Sequence, residues 1–145
     1  MKNLLPLFKK PSHYAGMEIG SVHKNKKDIT LHIALAFPDS YEVGMSYLGQ
    51  KILYHIVNNH DNWFAERIMA PEPENGKILQ NHNTALSSLE SDTALSEFDC
   101  ICFSVTHELC YTNILYMLDF YRLCYKGIHL CLLTTFLLIL FLDIT

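Results

Sequence analysis

Apolar and polar residues alternate along residues 31–37, and the spacing then changes after a short polar loop. Leu31, Ile33, Leu35 and Phe37 occupy every second position, which predicts a β-strand that is at least half buried. Pro38 has no N–H to donate to a neighbouring strand, so the strand is expected to end there.

A helix is predicted to follow from about residue 45, because apolar residues now recur at steps of three and four. We expect one stripe to face the core, formed by Met45, Leu48, Ile52 and Ile56 and widened by Leu53 and Val57. The loop that joins the strand to this helix, residues 39–44, lies where open α/β sheets bind their ligands.

The rest of the chain repeats the change from strand to helix. Strands are predicted over residues 63–70, 85–89 and 99–105, with a short helix from residue 71 to 79 and a connector with one helical turn at residues 91–98. A last helix is expected to bury Cys110, Ile114, Met117, Leu118 and Tyr121. Alternating strands and helices predict an open, Rossmann-like α/β domain with a mainly parallel sheet.

Composition fits one globular domain and argues against a nucleic-acid ligand. The 145 residues are 50% apolar and 18% charged, with a net charge of −4, and Lys24, Lys26 and Lys27 form only a short basic cluster.

Residues 1–28 show no sustained period and are interpreted as an extended arm, before a domain at residues 29–127. The five cysteines lie in apolar runs, which favours buried thiols in a reducing cytoplasm.

A second loop, directly after the strand at residues 99–105, should open on the same edge of the sheet as residues 39–44. Its polar residues are Ser104, Thr106, His107 and Glu108. Thr106 with the helix N-terminus could hold an anionic group, and His107 and Glu108 could perform acid–base chemistry. The alternative is that Thr106 caps the helix, Glu108 lies in its first turn, and the rest is exposed.

Three separated blocks of sequence occur in an order typical of one protein family. They are LLPLFKKPSHYAGMEIGSVHK, LHIALAFPDSYEVGMSYLG and FSVTHELCYTNILYMLDF. Together they resemble the N-terminal domain of a radical SAM protein family, over about residues 4–127. The resemblance implies a cobalamin-binding-like α/β fold, followed in the family by a radical SAM barrel that binds S-adenosylmethionine and carries a 4Fe-4S cluster on a CxxxCxxC motif.

Asp39-x-Tyr41-x-x-Gly44 has the spacing of the DxHxxG motif of cobalamin-binding domains. There the histidine ligates cobalt and the aspartate orients it, whereas a neutral tyrosine with a pKa near 10 is a poor ligand. If a corrinoid binds here, we expect no axial ligand from this loop. The alternative is that Asp39 and Gly44 only build the turn, with Gly44 supplying a positive φ.

The resemblance ends before an apolar tail, IHLCLLTTFLLILFL, at residues 128–142. Our hypothesis is that residues 128–145 are out of frame or truncated. A core strand or helix is a second interpretation. A membrane anchor is a third, although the run is shorter than the roughly 18–20 residues that span a bilayer.

No CxxxCxxC motif occurs in the chain, so radical chemistry is not expected of it alone. The resemblance implies a fragment that presents a cofactor or substrate to a catalytic barrel absent from this chain. The alternatives are a stand-alone, non-enzymatic binding module that uses the two loops, and a membrane-tethered remnant.

Overall fold

The centre of the molecule is a parallel sheet of four strands in the order β2-β1-β3-β4. The computed structural model describes residues 1–120 and the backbone of residues 129–133. The strands are β1 (Leu31–Phe37), β2 (Trp63–Met69), β3 (Cys100–Ser104) and β4 (His129–Leu133). All three pairings are parallel, which confirms the α/β fold.

Helices lie on both faces of the sheet. They are α1 (Tyr41–Ser46), α2 (Leu48–Asn58), α3 (Pro73–Asn81) and α4 (Cys110–Asp119). Leu35 of β1 packs with Tyr54 and Val57 of α2, whereas the neighbouring Ala34 and Ala36 belong to a core shared with α3 and α4. Because successive side chains of a strand point to opposite faces, α2 covers one face and α3 and α4 cover the other.

The predicted core stripe of the helix after β1 is wrong at Leu48, Ile52 and Ile56, whereas Val57 is buried and Met45 and Leu53 pack against the core. Leu48, Ile52 and Ile56 are 67%, 49% and 37% exposed, while the face that carries Gln50 and Tyr54 is buried. Two of the polar groups on that face are paired: Gln50 Nε2 donates to the Leu35 carbonyl at 3.0 Å, and the Tyr54 hydroxyl accepts from the Val22 N–H at 2.8 Å.

The strand predicted at residues 85–89 is also absent from the structure. A single antiparallel bridge joins Ser87 to Ala94, and the chain turns back between them through Asp92, whose φ is +59°. Leu86 and Leu89 are buried, so the apolar residues of this segment fill the core from a loop. The helical turn expected in the following connector is present at Leu95–Glu97.

The first 28 residues lie against the sheet and its helices. They contain three 3-10 helices, Lys2–Leu7, Pro11–Tyr14 and Lys26–Asp28. Phe8 and Tyr14 are buried in the same core as α3 and α4.

The apolar tail contributes at least part of its length to the sheet, because His129–Leu133 pairs with β3. The interpretation of the tail as a strand is confirmed for the backbone of these five residues. Residues 134–145, and the predicted core residue Tyr121, lie outside the described residues. Among the residues that are described, no helix is both long and apolar enough to cross a membrane.

Candidate functional site

The loops that follow the strands come together at the carboxyl edge of the sheet, around a cavity of about 370 Å³. It is lined by Asp39, Ser40, Ala70, Pro71, Glu72, Pro73, Asn113 and Tyr116. The chain runs from β1 outward to β2 and then crosses back to β3. The strand order therefore reverses between β1 and β3, and this edge cavity lies where open α/β sheets bind ligands.

Asp39 and Gly44 both have local structural roles in this loop. Asp39 Oδ1 accepts a hydrogen bond from the Ser40 N–H at 2.7 Å. Gly44 lies inside α1, so the positive φ expected for it is wrong. A Cβ at position 44 would clash with Met69 Sδ, so a larger residue would require the Met69 side chain to shift, because α1 packs closely on the end of β2.

Tyr41 points toward the N-terminal segment. Its hydroxyl donates to Glu18 Oε1 at 3.0 Å, and its ring stacks on His13 with 4.4 Å between the centroids. Partial burial, together with the hydrogen bond to Glu18 and its charge, raises the pKa of Tyr41 to about 12. A phenol held protonated in this way does not fit the position of an axial cobalt ligand.

In the second loop, after β3, the helix begins later than predicted. Leu109 is the N-cap of α4, which begins at Cys110 without a side-chain cap, so Thr106 is not its cap and Glu108 is not in its first turn. Instead Thr106 Oγ1 lies 3.4 Å from Cys110 Sγ, and His107 Nδ1 lies 3.7 Å from the same sulfur.

The polar residues of that loop do not line the edge cavity. Ser104 is buried at the end of β3, and Thr106, His107 and Glu108 are exposed. The extra residues before α4 explain this, because they carry the loop outward before the helix begins. The predicted roles in anion binding and acid–base chemistry stay predictions.

The side chains that α4 contributes to the edge cavity, Asn113 and Tyr116, were missed by the sequence analysis. Asn113 Nδ2 donates to the Pro38 carbonyl at 2.8 Å, which ties α4 to the end of β1. The sequence could have indicated these two residues, because polar side chains three positions apart on the helix after β3 lie on one helix face.

A cluster of charged residues lies beside the edge cavity. Lys10 Nζ is 2.6 Å from Glu42 Oε1 and 3.5 Å from Glu72 Oε1, and His13 Nδ1 is 3.8 Å from Glu42 Oε1. The hydrogen bond from Lys10 is the main reason that the pKa of Glu42 falls to about 2. The ligand atoms of His13, Glu42 and Glu72 lie within 4.8 Å of one another. The Lys10 ammonium already supplies a cation there, and the cluster joins the N-terminal segment to the edge.

The cysteines do not fit an iron–sulfur site of the radical SAM type. Cys100 Sγ and Cys102 Sγ lie 3.6 Å apart on β3, and Cys110 lies on the buried face of α4. None of the five cysteines is spaced as CxxxCxxC.

The sheet and its two helical layers define an open α/β domain. The family model for the N-terminal domain of radical SAM proteins matches residues 49–127. The chain belongs to this family. No curated protein and no solved structure matches the chain.

Proposed function

We propose that this chain is the N-terminal module of a radical SAM protein, and that its edge cavity presents a cofactor or substrate to a radical SAM barrel. One observation carries the proposal: the cavity of about 370 Å³ lies at the switch point of the parallel sheet. Its volume suits a small ligand or part of a larger one, and family membership supplies the radical SAM context.

The barrel would supply the 4Fe-4S cluster and S-adenosylmethionine, which together generate a radical when bound. The residues of this chain have a different task, which is to bind and orient. Asp39, Ser40, Asn113 and Tyr116 offer hydrogen-bonding groups around the cavity. A cytoplasmic location is part of the proposal, because a reducing compartment keeps Cys100 and Cys102 as thiols.

A corrinoid is one ligand that the edge cavity could present. The contacts of Tyr41 with Glu18 and His13 support binding without an axial ligand from the loop. With hydroxocobalamin as the probe, Tyr41→Phe should leave the absorption spectrum of the bound corrinoid unchanged. Asn113→Leu should weaken binding about tenfold, because it removes a polar group worth roughly 1.4 kcal/mol. A spectral change in Tyr41→Phe would contradict this arrangement.

The decisive test of the module itself is to sequence the gene through the codons for residues 125–145 and beyond, and to read all three forward frames. A continuation that encodes a CxxxCxxC barrel supports presentation to that barrel. If no frame contains such a continuation, the presentation role is refuted and a stand-alone binding module takes its place.

A further inference from the structure

A second cavity, of about 520 Å³, lies between the N-terminal segment, α1, α2 and β2. The residues that line it differ from those of the edge cavity, so an inference about it does not rest on the proposed function. Its lining includes Glu18, Met45, Gln50, Lys51, Tyr54 and Arg67.

Gln50 lines this cavity with one unsatisfied polar atom. The side chain is only 2% exposed, and its Oε1 has no hydrogen-bond partner among the residues that the structure describes. The amide orientation is fixed because Nε2 donates to the Leu35 carbonyl. A buried acceptor left unpaired costs about 1–3 kcal/mol, so a ligand that donates an N–H or O–H to Gln50 Oε1 would remove this cost.

Arg67 lines the same cavity and has donor capacity left. Its Nε donates to Glu90 Oε1 at 2.6 Å, and its Nη2 donates to Ser21 Oγ at 2.9 Å. Nη1 faces Met45 Sδ at 3.5 Å, and a thioether sulfur is a weak acceptor. A ligand carbonyl would be a stronger acceptor for this N–H group.

The charges around the cavity balance. Arg67 is paired with Glu90 at 2.6 Å and lies 3.8 Å from Glu18, and Lys51 at the rim adds one exposed positive charge. A neutral ligand therefore fits better than an ion. The Met45 thioether favours contact with an aromatic ring, and the cavity volume suits a single small molecule.

We propose that this cavity binds a neutral heteroaromatic molecule with an amide or lactam group, whose N–H donates to Gln50 Oε1 and whose carbonyl accepts from Arg67 Nη1. The class includes nicotinamide and the nucleobases. An analogue that keeps the carbonyl and loses the N–H should therefore bind more weakly, because it leaves Gln50 Oε1 without a hydrogen-bond donor.

The test is an NMR titration of the isotope-labelled, full-length chain with three matched probes: nicotinamide, its methyl ketone analogue and the carboxylate nicotinate. Nicotinamide should shift the side-chain amide resonances of Gln50 at millimolar concentration, as expected for so small a ligand. It should bind about tenfold more tightly than the ketone, because one donor to a buried acceptor is lost. Nicotinate should bind more weakly than nicotinamide.

Gln50→Met should remove this preference for the amide, whereas Gln80→Met, at an exposed glutamine on α3, should keep it. If Gln50→Met does not fold, the affinities of the unmodified chain for nicotinamide and for its methyl ketone analogue still test the proposal. Equal affinity for the two, resonance shifts confined to Asp39 and Asn113, or no binding at all would overturn the proposal.

Discussion

Glu66 is the most completely buried charged residue that the structure describes, with none of its surface exposed. Its carboxylate accepts hydrogen bonds from His32 Nε2 at 2.6 Å, from Ser88 Oγ at 2.6 Å, and from the N–H and hydroxyl of Ser91, both at 2.8 Å. Burial alone would raise the pKa of Glu66, but these bonds outweigh it, and the pKa is lowered. The ionised carboxylate thus joins β1 and β2 to the segment before β3.

Glu66→Gln should lower the free energy of unfolding by about 2–3 kcal/mol at neutral pH, because hydrogen bonds to a charged acceptor are lost. The contribution of Glu66 to the free energy of unfolding should decrease as the pH falls. A lowered folded-state pKa stabilises the protein above the ordinary carboxyl pKa of 4.5, and this stabilisation disappears as the pH falls through the folded-state value.

Urea unfolding at a series of pH values measures this effect. The gap between the native protein and Glu66→Gln should narrow as the pH falls below about 4.5. Glu97→Gln, at an exposed carboxylate, is the matched control and should change little. A gap that stays constant down to strongly acidic pH would show that the charge of Glu66 contributes nothing.

The ion pair between Arg67 and Glu90 provides the second prediction at this scale. Arg67 is 7% exposed and Glu90 is 3% exposed. Arg67→Met should cost about 3–5 kcal/mol, because Glu90 is left buried without its partner. Adding Glu90→Gln should recover part of this loss, which a double-mutant cycle of urea unfolding would measure. A double variant as unstable as the sum of both single variants would indicate that the two side chains are not coupled.

Among the elements, the strands β1, β2 and β3 could be predicted from the sequence within about one residue, and the phase of the helix after β1 could not. The strands are rich in apolar residues, as buried parallel strands are, although β2 also buries the charged pair Glu66 and Arg67. α2 carries apolar residues on two faces, and periodicity alone does not say which one is buried. Burial is decided by partners distant in sequence: Val22 for Tyr54, and Leu35 for Gln50.

The edge cavity, too, could be predicted only in part from the sequence. The edge of the sheet and Asp39 follow from strand order and loop position, and the edge cavity indeed includes Asp39. Asn113 and Glu72 also line the edge cavity. Whether they do so depends on the number of residues between each strand and the helix that follows it, which the sequence pattern does not fix. Thr106 shows why sequence alone is not sufficient, since α4 begins three residues later than a helix capped by Thr106 would.

The orientation of α2 can be tested by comparing its two faces. Val57 is 3% exposed and Ile52 is 49% exposed. Val57→Ala should cost about 1–2 kcal/mol, because a buried side chain loses two methyl groups, whereas Ile52→Gln should change stability by less than about 0.5 kcal/mol. Chemical unfolding of both variants gives the comparison, and a larger loss for Ile52→Gln than for Val57→Ala would contradict the orientation of α2 in the structure.

At the scale of the whole molecule, the sheet continues past the family match. The match ends at residue 127, and β4 then pairs with β3 in register, with Cys131 opposite Cys102. β3 is therefore a central strand with a neighbour on each side. The five residues of β4, four of them apolar, are enough to form a strand whatever the origin of the tail.

Proline substitutions in β4 test whether this strand belongs to the folded molecule. N–H groups of successive residues point to opposite sides of a strand, so one of Leu130 and Cys131 directs its N–H toward β3. Proline at that position removes the bond, and Leu130→Pro or Cys131→Pro should therefore cost about 1–3 kcal/mol. Cys131→Val keeps the N–H and a side chain suited to a strand, so it serves as the control and should be nearly neutral. If urea unfolding finds both proline variants as stable as the native chain, β4 contributes nothing to stability and the domain ends with α4.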